Sequence, residues 1–450
     1  MGAWLSNKWE NLRSSLWFVP AQIVAACALL AIGTLALDDS LAAERSDAIP
    51  YLFSGTADAA RTMLSTLASS LLTVLSIAFS LTMIALQQAS SQFSPRVLRS
   101  ITSSRVNQIV VGVYAGTFIY CLLILRTIRG EDAPAPYVPE LSVTSSVLLA
   151  LLCIAMLVYF IHHVSLSLQV SEVIQGLHDQ LVEQIDVMFP DPLGQEPRVP
   201  TLLPEHARER ATKIRASRGG FVRRVDDALV GVQAEDTIVW LHAKVGEYVP
   251  RGGVLASMSP AREQLAARIN EAYVFDSERS YAQDPLFAVR QLVDIGLRAM
   301  SPGVNDPTTA EYVLHHLGDA LAQLVGRQFP SPHRKHESKG LQLIVDGPDW
   351  DSFVSAAFAQ LRRSARSDFD VTRCLLQVLT ELGEHATCEQ RAAALRLEVA
   401  EVRGALHEAS FSELDRTALA SRSDAALEAL SPARVLARAA LDAREATQGA

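Results

Sequence analysis

The sequence has few cysteines and no excess of positive charge, and both shortages exclude classes of protein. Five cysteines stand among 450 residues. Cys27, Cys121 and Cys153 lie inside apolar runs, so the chain has no disulfide framework of the kind found in small secreted domains. The formal net charge is −9 at pH 7, which gives no reason to expect nucleic-acid binding.

The sequence also lacks the short motifs that mark common catalytic and metal sites. It contains no Gly-x-Ser-x-Gly elbow, phosphate-binding loop, dinucleotide-binding glycine pattern or protein-kinase set. Its closest histidine sets are His162-His163, His315-His316 and His333-x-x-His336. Adjacent side chains on a helix point about 100° apart, and no Cys-x-x-Cys accompanies them. We therefore expect no metal and no cofactor, and an enzyme is the least favoured class.

What the sequence does have is long hydrophobic runs near its N-terminus. They cover residues 16–37, 62–86, 109–125 and 141–161. Each approaches or exceeds the roughly 20 residues that a helix needs to cross a bilayer. The sequence therefore predicts a four-helix transmembrane domain over residues 1–161, with the lipid bilayer as its partner.

Basic residues near these runs indicate an orientation. Lys8 and Arg13 precede the first run, and Arg96, Arg99 and Arg105 lie between the second and third runs with no acid among them. The connector between the first two runs is acidic instead. Because Lys and Arg concentrate on the cytoplasmic side of a membrane, we expect both termini in the cytoplasm.

The second run carries a stripe of hydroxyl side chains along one side. The stripe consists of Thr62, Thr66, Ser69, Thr73, Ser76 and Ser80, and its register continues to Gln87. Steps of four and three place these residues on one helix face. In a bilayer such a face needs another helix, water or a solute as its partner. The candidates for lining a pore or a helix seam are therefore Thr66, Ser69, Thr73, Ser76, Ser80 and Gln87.

The rest of the chain predicts a cytoplasmic α+β region in a mainly α protein. Helical spacing of apolar residues continues the fourth run into a stalk helix over residues 162–189, and a proline-rich linker follows over 190–216. Glycines and short apolar stretches over 217–258 predict a small β-barrel-like module, part of which resembles half of a biotinyl/lipoyl-type barrel without its attachment lysine. Residues 259–450 predict a helical domain, with an isolated strand at 341–345.

The sequence of residues 259–450 contains two clear helix N-terminal signals. Asp284-Pro285 and Asp306-Pro307 each offer an N-cap acid followed by proline at the first helical position. Polar residues around these starts form a candidate ligand or subunit contact, and they are Arg290, Asp294, Asn305, Asp306 and Thr308. The simpler interpretation, which we favour, is a rigid corner between two helices that caps and ion pairs hold.

Two longer segments carry a resemblance to a known family. The segments at residues 85–96 and 283–310 resemble the two distinctive blocks of a bacterial family of predicted membrane proteins, domain of unknown function 2254. The resemblance implies a multi-pass protein of the bacterial inner membrane with four spans, and it implies no activity. Gly296 departs from the pattern, since a larger residue is expected there.

Three functions are compatible with these features. The favoured one is a membrane-anchored scaffold or sensor whose cytoplasmic domain binds a ligand or partner of unknown identity. The second is a channel or transport-like protein, in which several copies line a pore with the hydroxyl stripe, and this makes a homo-oligomer the expected state. The third is a membrane enzyme with no recognisable motif. The stripe is uncharged, which argues against a proton relay or a tightly selective ion site.

Overall fold

The computed structural model describes residues 17–43, 53, 55–92, 105–130, 137–167, 169–190, 210–226, 237–279, 284–335, 342–345 and 347–448. The chain divides into two compact units, Met1–Glu172 and Val173–Ala450. Most described residues are helical, as the sequence predicts.

The first unit contains four helices that are long and apolar enough to cross a membrane. They are α1 (Phe18–Ala43), α2 (Ala57–Gln92), α3 (Arg105–Thr127) and α4 (Glu140–Ser167). Each predicted span lies largely within one of them. The helices are longer than the spans because their polar ends continue the backbone hydrogen bonding beyond the apolar stretch.

Helix α3 is the central helix of this unit and packs against the other three. It approaches α1 at two glycines, Gly112 and Gly116. A Cβ at Gly112 would lie 2.8 Å from Cδ1 of Ile23, and one at Gly116 would lie 2.7 Å from Sγ of Cys27. Small residues four apart let two membrane helices pack closely, so these glycines set the α1–α3 contact.

Helix α2 buries a face of small and apolar residues. That face contains Ala60, Leu64, Ala68, Leu71 and Ala78, which belong to the core of the first unit. Alternating alanine and leucine allows α2 to lie close to α3 while filling the space between the helices. The packing of α2 within its own chain therefore uses its apolar face.

The segment predicted as one continuous stalk is divided into two helices. Helix α4 ends at Ser167, and α5 (Val170–Met188) begins three residues later, after a turn in which the backbone N–H of Gln169 donates to the carbonyl of Leu166 at 2.9 Å. Helix α5 is not a bare stalk. Its apolar side chains are buried, among them Ile174, Leu177, Leu181 and Ile185.

The second unit contains eight described strands in two sheets. The strands are β1 (Thr212–Arg215), β2 (Gly220–Val225), β3 (Ile238–Leu241), β4 (Tyr248–Val249), β5 (Val254–Ser259), β6 (Tyr273–Asp276), β7 (His333–Lys335) and β8 (Gln342–Val345). One sheet has the order β1-β5-β3-β8-β7 and the other β4-β2-β6.

This β-module differs from the prediction in two ways. Its strands form two sheets and no closed barrel among the described residues, and they extend on both sides of residues 217–258. The strand near 341–345 is not isolated, because β8 pairs in parallel with β3 and places Leu343 opposite Val239. A core that includes Leu255, Ile269 and Tyr273 is shared by the two sheets and α6 (Glu263–Ala272).

The remaining helices form the predicted helical domain. They are α7 (Pro285–Ala299), α8 (Pro307–Val325), α9 (Trp350–Ala365), α10 (Phe369–His385), α11 (Glu389–Ala405), α12 (Glu413–Ala429) and α13 (Pro432–Gln448). Both predicted starts are confirmed. The side chain of Asp284 accepts from the backbone N–H of Phe287, and that of Asp306 accepts from the N–H of Thr309.

Gly296 has a packing reason for being glycine. It lies on the buried face of α7. A Cβ there would stand 2.8 Å from Cδ2 of Leu361 in α9 and 3.3 Å from Cγ1 of Val313 in α8. The departure from the family pattern therefore accompanies a close approach of three helices.

Candidate functional site

The hydroxyl stripe lies on the exposed face of α2 in the single chain. Thr66, Ser69, Thr73, Ser76 and Ser80 are all exposed. So is Gln87, about two turns further along the helix. The described structure thus separates two faces of α2, one apolar and packed inside the chain, the other lined with hydroxyls and open.

Each hydroxyl of the stripe donates to a carbonyl of its own helix. Thr66 donates to the carbonyl of Thr62 at 2.7 Å, Ser69 to that of Ser65 at 2.8 Å, and Thr73 to that of Ser69 at 3.0 Å. Ser76 and Ser80 do the same one helical turn back, each at 2.9 Å. This bonding lowers the cost of placing hydroxyls in an apolar medium. The oxygen keeps acceptor capacity for a further donor.

A buried carboxylate at the end of the first span is a feature that the sequence reasoning placed in a connector. One oxygen of Asp38 accepts from the backbone N–H of Leu141 at 2.9 Å. The other accepts from the N–H and the hydroxyl of Ser142, at 2.9 and 2.6 Å. A carboxylate here accepts from the first free N–H groups of α4 and interacts favourably with the positive end of the helix dipole. Asp38 therefore ties α1 to α4.

Two hydroxyls extend this network into the bundle. The hydroxyl of Tyr120 donates to the carbonyl of Ser142 at 3.0 Å, and the hydroxyls of Tyr120 and Thr34 lie 3.0 Å apart. Thr34 and Tyr120 are buried. The network thus joins α1, α3 and α4. Thr34 and Asp38 stand at the end of an apolar run that the sequence shows. Their partners, Tyr120 and Ser142, lie 86 and 104 residues further along the chain.

The corner residues of the second unit bond mostly within their own segments. Arg290 pairs with Asp294 one helical turn later, at 2.9 Å. Asp306 accepts from both the N–H and the hydroxyl of Thr309, at 3.1 and 2.6 Å. Asn305 and Thr308 are exposed, and Asn305 has a left-handed φ of 49°. This geometry fits the rigid corner, and the ligand contact stays a prediction.

Histidines meet at a place that the sequence reasoning missed. His178 of α5 has Nε2 at 2.8 Å from Asp319 of α8 and Nδ1 at 3.3 Å from Asp179. Its ring centroid is 5.1 Å from that of His316. Burial and the neighbouring His178 lower the pKa of His316 below its ordinary value. No sequence pattern near His178 relates it to His315-His316, because only the packing of α5 on α8 brings these residues together.

The described residues contain no group of three or more His, Cys, Asp or Glu side chains that could hold a metal ion. The contact between the His178 and His316 rings is instead an ionisable contact between two helices. All five cysteines are free.

The end of α5 is anchored on the helical domain. Arg327 donates to a carboxylate oxygen of Asp186 and, at 3.1 Å, to the carbonyl of Phe189. The ring of Phe189 is fully buried and lies 4.7 Å from Phe329 and 5.8 Å from Phe353. Together with the His178 contact, these interactions hold the middle and the C-terminal end of α5 against α8 and α9.

A partly buried ion pair joins the β-module to the helical domain. Asp284 accepts from Nε and Nη2 of Arg279 at 2.6 and 2.9 Å while it caps α7. Burial raises the pKa of Asp284, and Arg279 opposes that rise. Gly246, with φ of 81°, lies so close that a Cβ there would fall 2.1 Å from Oδ2 of Asp284. The sequence predicted the cap but not this junction.

Comparison with known families identifies one match. The sequence model of a family described as "Predicted membrane protein (DUF2254)" matches residues 13–381. The match includes the four apolar helices and most of the second unit, and it agrees with the resemblance that the two sequence blocks carry.

Curated relatives come from mycobacteria. The chain is 30% identical over 418 residues to an uncharacterised protein of Mycobacterium tuberculosis, and the alignment covers 90% of this chain and 79% of the relative. An uncharacterised protein of Mycobacterium bovis has the same identity and coverage. No solved structure matches the chain.

Proposed function

The chain belongs to the DUF2254 family of predicted membrane proteins, and we propose that it is a membrane-anchored scaffold or sensor. In this proposal it spans the bacterial inner membrane four times, keeps both termini in the cytoplasm and assembles as a homo-oligomer. Its second unit binds a partner or ligand and responds together with the membrane helices.

The observation that carries the proposal is the burial of α5 in the second unit. Only two residues separate α5 from the end of α4, the helix that contains the fourth candidate span. His178 at the middle of α5 bonds to Asp319, and Asp186 near its C-terminal end bonds to Arg327. A flexible anchor would need no such contacts. The segment that follows the fourth span in sequence is therefore packed on α8 of the second unit, which suits a sensor or scaffold.

The corner after α7 supplies the candidate contact surface. Asn305 and Thr308 offer exposed polar side chains on a backbone fixed by the Asp306 cap. A rigid, exposed loop of this kind suits recognition of a partner, because little conformational entropy is lost on binding.

A channel is the second candidate, and the exposed hydroxyl face of α2 favours it. One chain has only one such face, so several copies would have to line a shared pore. Hydroxyls without charge would give weak ion selectivity. The same face can instead form a helix seam between copies, where each hydroxyl contact contributes roughly 0.6 kcal/mol on average.

Planar-bilayer conductance and light scattering in mild detergent, measured on the same full-length samples, separate the two candidates. The pair Ser76→Leu and Ser80→Leu alters the stripe. The scaffold or sensor predicts no current from the parent protein and a smaller oligomer in the double variant. The channel predicts a current that the double variant reduces while the oligomer persists.

Ile77→Leu with Ile84→Leu is the matched control, because both side chains are exposed on the same helix and remain apolar. It should leave the oligomer unchanged. A strictly monomeric parent protein would rule out both the shared pore and the hydroxyl seam.

A further inference from the structure

One edge of the β-module carries concentrated positive charge in a chain whose net charge is −9. Lys213, Arg215, Arg218 and Arg251 are all exposed there, and we call these four residues the basic rim. The composition of the whole chain hides this feature, since the excess of acids lies elsewhere.

Strand alternation creates half of the rim. In β1, Ile214 points into the core, whereas Lys213 and Arg215 are exposed on either side of it. Among the described strands, β1 is the edge strand of the five-stranded sheet and pairs with β5 alone, with Lys213 opposite Ser257. An exposed edge strand with basic side chains is protected from pairing with other strands and free to contact other surfaces.

The loop before β5 brings Arg251 to the same place. The backbone N–H of Gly252 donates to the carbonyl of Ala216 at 2.9 Å, and that of Ala216 donates to Gly253 at 2.8 Å. Arg215 donates to the carbonyl of Gly252 at 2.9 Å. The positive φ of Gly252, 82°, allows this tight turn. The rim is therefore held by backbone bonds and is not a chance grouping of mobile side chains.

An exposed aromatic ring lies beside the rim. Tyr248 is 59% exposed and stands on β4 three residues before Arg251, with its ring edge-on to Phe221 at 5.2 Å. Arg218 lies over the ring of Phe275 at 5.5 Å. Tyrosine with basic residues is the composition that favours the headgroup level of a bilayer.

The nearby acids do not neutralise the rim. Within the described residues none of the four cations forms an ion pair with a carboxylate. Asp276 lies near Arg223 at 4.0 Å, and Glu247 accepts from the backbone N–H of Lys244 at 3.1 Å. Within the part of the chain that the structure describes, the rim therefore presents positive charge that no carboxylate pairs with.

We propose that the basic rim binds the phosphate groups of anionic phospholipids on the surface of the bilayer that the same chain spans. Two features of the molecule argue for this occupant, namely the opposite charge of rim and headgroup and the tether to the membrane. A tethered site meets the bilayer at high effective concentration, so weak contacts suffice. The inference rests on membrane anchoring and needs neither the sensor nor the channel.

The strength of the interaction follows from the number of cations. Each Lys or Arg near an anionic membrane surface strengthens docking by about fivefold, and the effect falls off within a Debye length. Docking should therefore respond to lipid charge, to salt and to the loss of single cations.

Lysine acylation of the full-length protein in nanodiscs tests the proposal. A water-soluble acylating reagent is applied in nanodiscs of phosphatidylcholine alone and in nanodiscs that also contain phosphatidylglycerol. Mass spectrometry then reads Lys213 and Lys244 separately. Lys244 is the internal control, since it is exposed on the same module but lies near Asp349 of the helical domain. We expect acylation of Lys213 to fall severalfold with phosphatidylglycerol and to recover in high salt, with Lys244 unchanged.

Arg218→Gln with Arg251→Gln removes half of the rim charge and keeps Lys213 as the reporter, so it should restore acylation of Lys213 in the anionic nanodiscs. Arg363→Gln with Arg422→Gln removes two exposed cations from α9 and α12 and should not restore it.

Equal reactivity of Lys213 in both nanodiscs would overturn the proposal. Low acylation of Lys213 relative to Lys244 in nanodiscs of phosphatidylcholine alone would also overturn it, because a protein surface and not an anionic lipid would then cover the rim. A short RNA that protects Lys213 where phosphatidylglycerol does not would reassign the rim to nucleic acid.

Discussion

Gly112 and Gly116 fix the packing of the membrane unit at the scale of single residues. Their missing side chains leave the space that Ile23 and Cys27 of α1 occupy. We predict that Gly116→Ala lowers the free energy of unfolding in detergent by about 1–3 kcal/mol, because the added methyl overpacks a close helix contact. Thermal unfolding followed by circular dichroism measures the change.

Gly33→Ala is the control for this prediction, since nothing lies within 4 Å of the Cβ that it would add. Equal melting temperatures for Gly116→Ala and the parent protein would contradict the proposed packing.

Asp38 is the other residue on which the membrane unit depends. We predict that Asp38→Ala destabilises the unit by about 1–2 kcal/mol, because it leaves the first N–H groups of α4 and the Ser142 hydroxyl without their acceptor. Hydrogen exchange at residues 141–144 should rise. The neighbouring Asp39→Ala changes an exposed side chain and should have a smaller effect, so equal effects would count against the cap.

At the scale of elements, the contact between α5 and α8 should depend on pH. Burial and His178 lower the pKa of His316 from 6.5. The charged groups that act on it are His178 and Asp179 from α5, with His315 and Asp319 from α8. Because the unfolded state binds the proton more readily, the contribution of His316 is complete above pH 6.5 and is lost as the pH falls below it.

We therefore predict that acidification from about pH 7 to pH 5 lowers the melting temperature of the second unit, and that His316→Gln makes this loss smaller. Tryptophan fluorescence during thermal unfolding measures it, since Trp240 and Trp350 are buried in the second unit. The exposed His407 provides a control as His407→Gln, which should leave the pH dependence intact. An unchanged pH profile in His316→Gln would refute the assignment.

Element packing shows which face of α2 is used within the described part of the chain. There α2 packs through alanine and leucine and leaves the hydroxyl stripe exposed. Its hydroxyls bond back to their own helix, which lowers the cost of an open position in the membrane. The stripe remains a candidate for contacts between copies.

At the scale of the whole molecule, the β-module needs a strand from far along the chain. β8 and β7 extend the sheet beyond β3, and β8 is inserted between α8 and α9 in sequence. We predict that a fragment of residues 210–279 aggregates, because β3 becomes an exposed edge with an apolar face. A fragment of residues 170–448, which keeps the buried helix α5, should be soluble and cooperative in thermal unfolding.

Leu343→Asp in the full chain checks the same point without truncation. It places a charge in the shared core and should destabilise the module by several kcal/mol. Arg363→Asp, an exposed change on α9, is the control. A folded fragment of residues 210–279 would show that the module does not need β8.

The sequence by itself determined the features that local chemistry controls. Runs of about 20 apolar residues predict four spans whatever their neighbours are, and the Asp-Pro starts of α7 and α8 follow from capping alone. The family blocks also needed no structure. Helical spacing likewise placed the hydroxyls on one face of α2.

Tertiary structure alone decided which distant groups meet. The pairing of Asp38 with Ser142, of His178 with Asp319 and of β3 with β8 joins residues about 100 or more positions apart, and no local pattern records such a pairing. The burial of α5 depends on the same long-range packing. So does the basic rim, because the turn at Gly252 brings Arg251 beside β1. Side-chain periodicity specifies a face, but only the fold specifies what that face contacts.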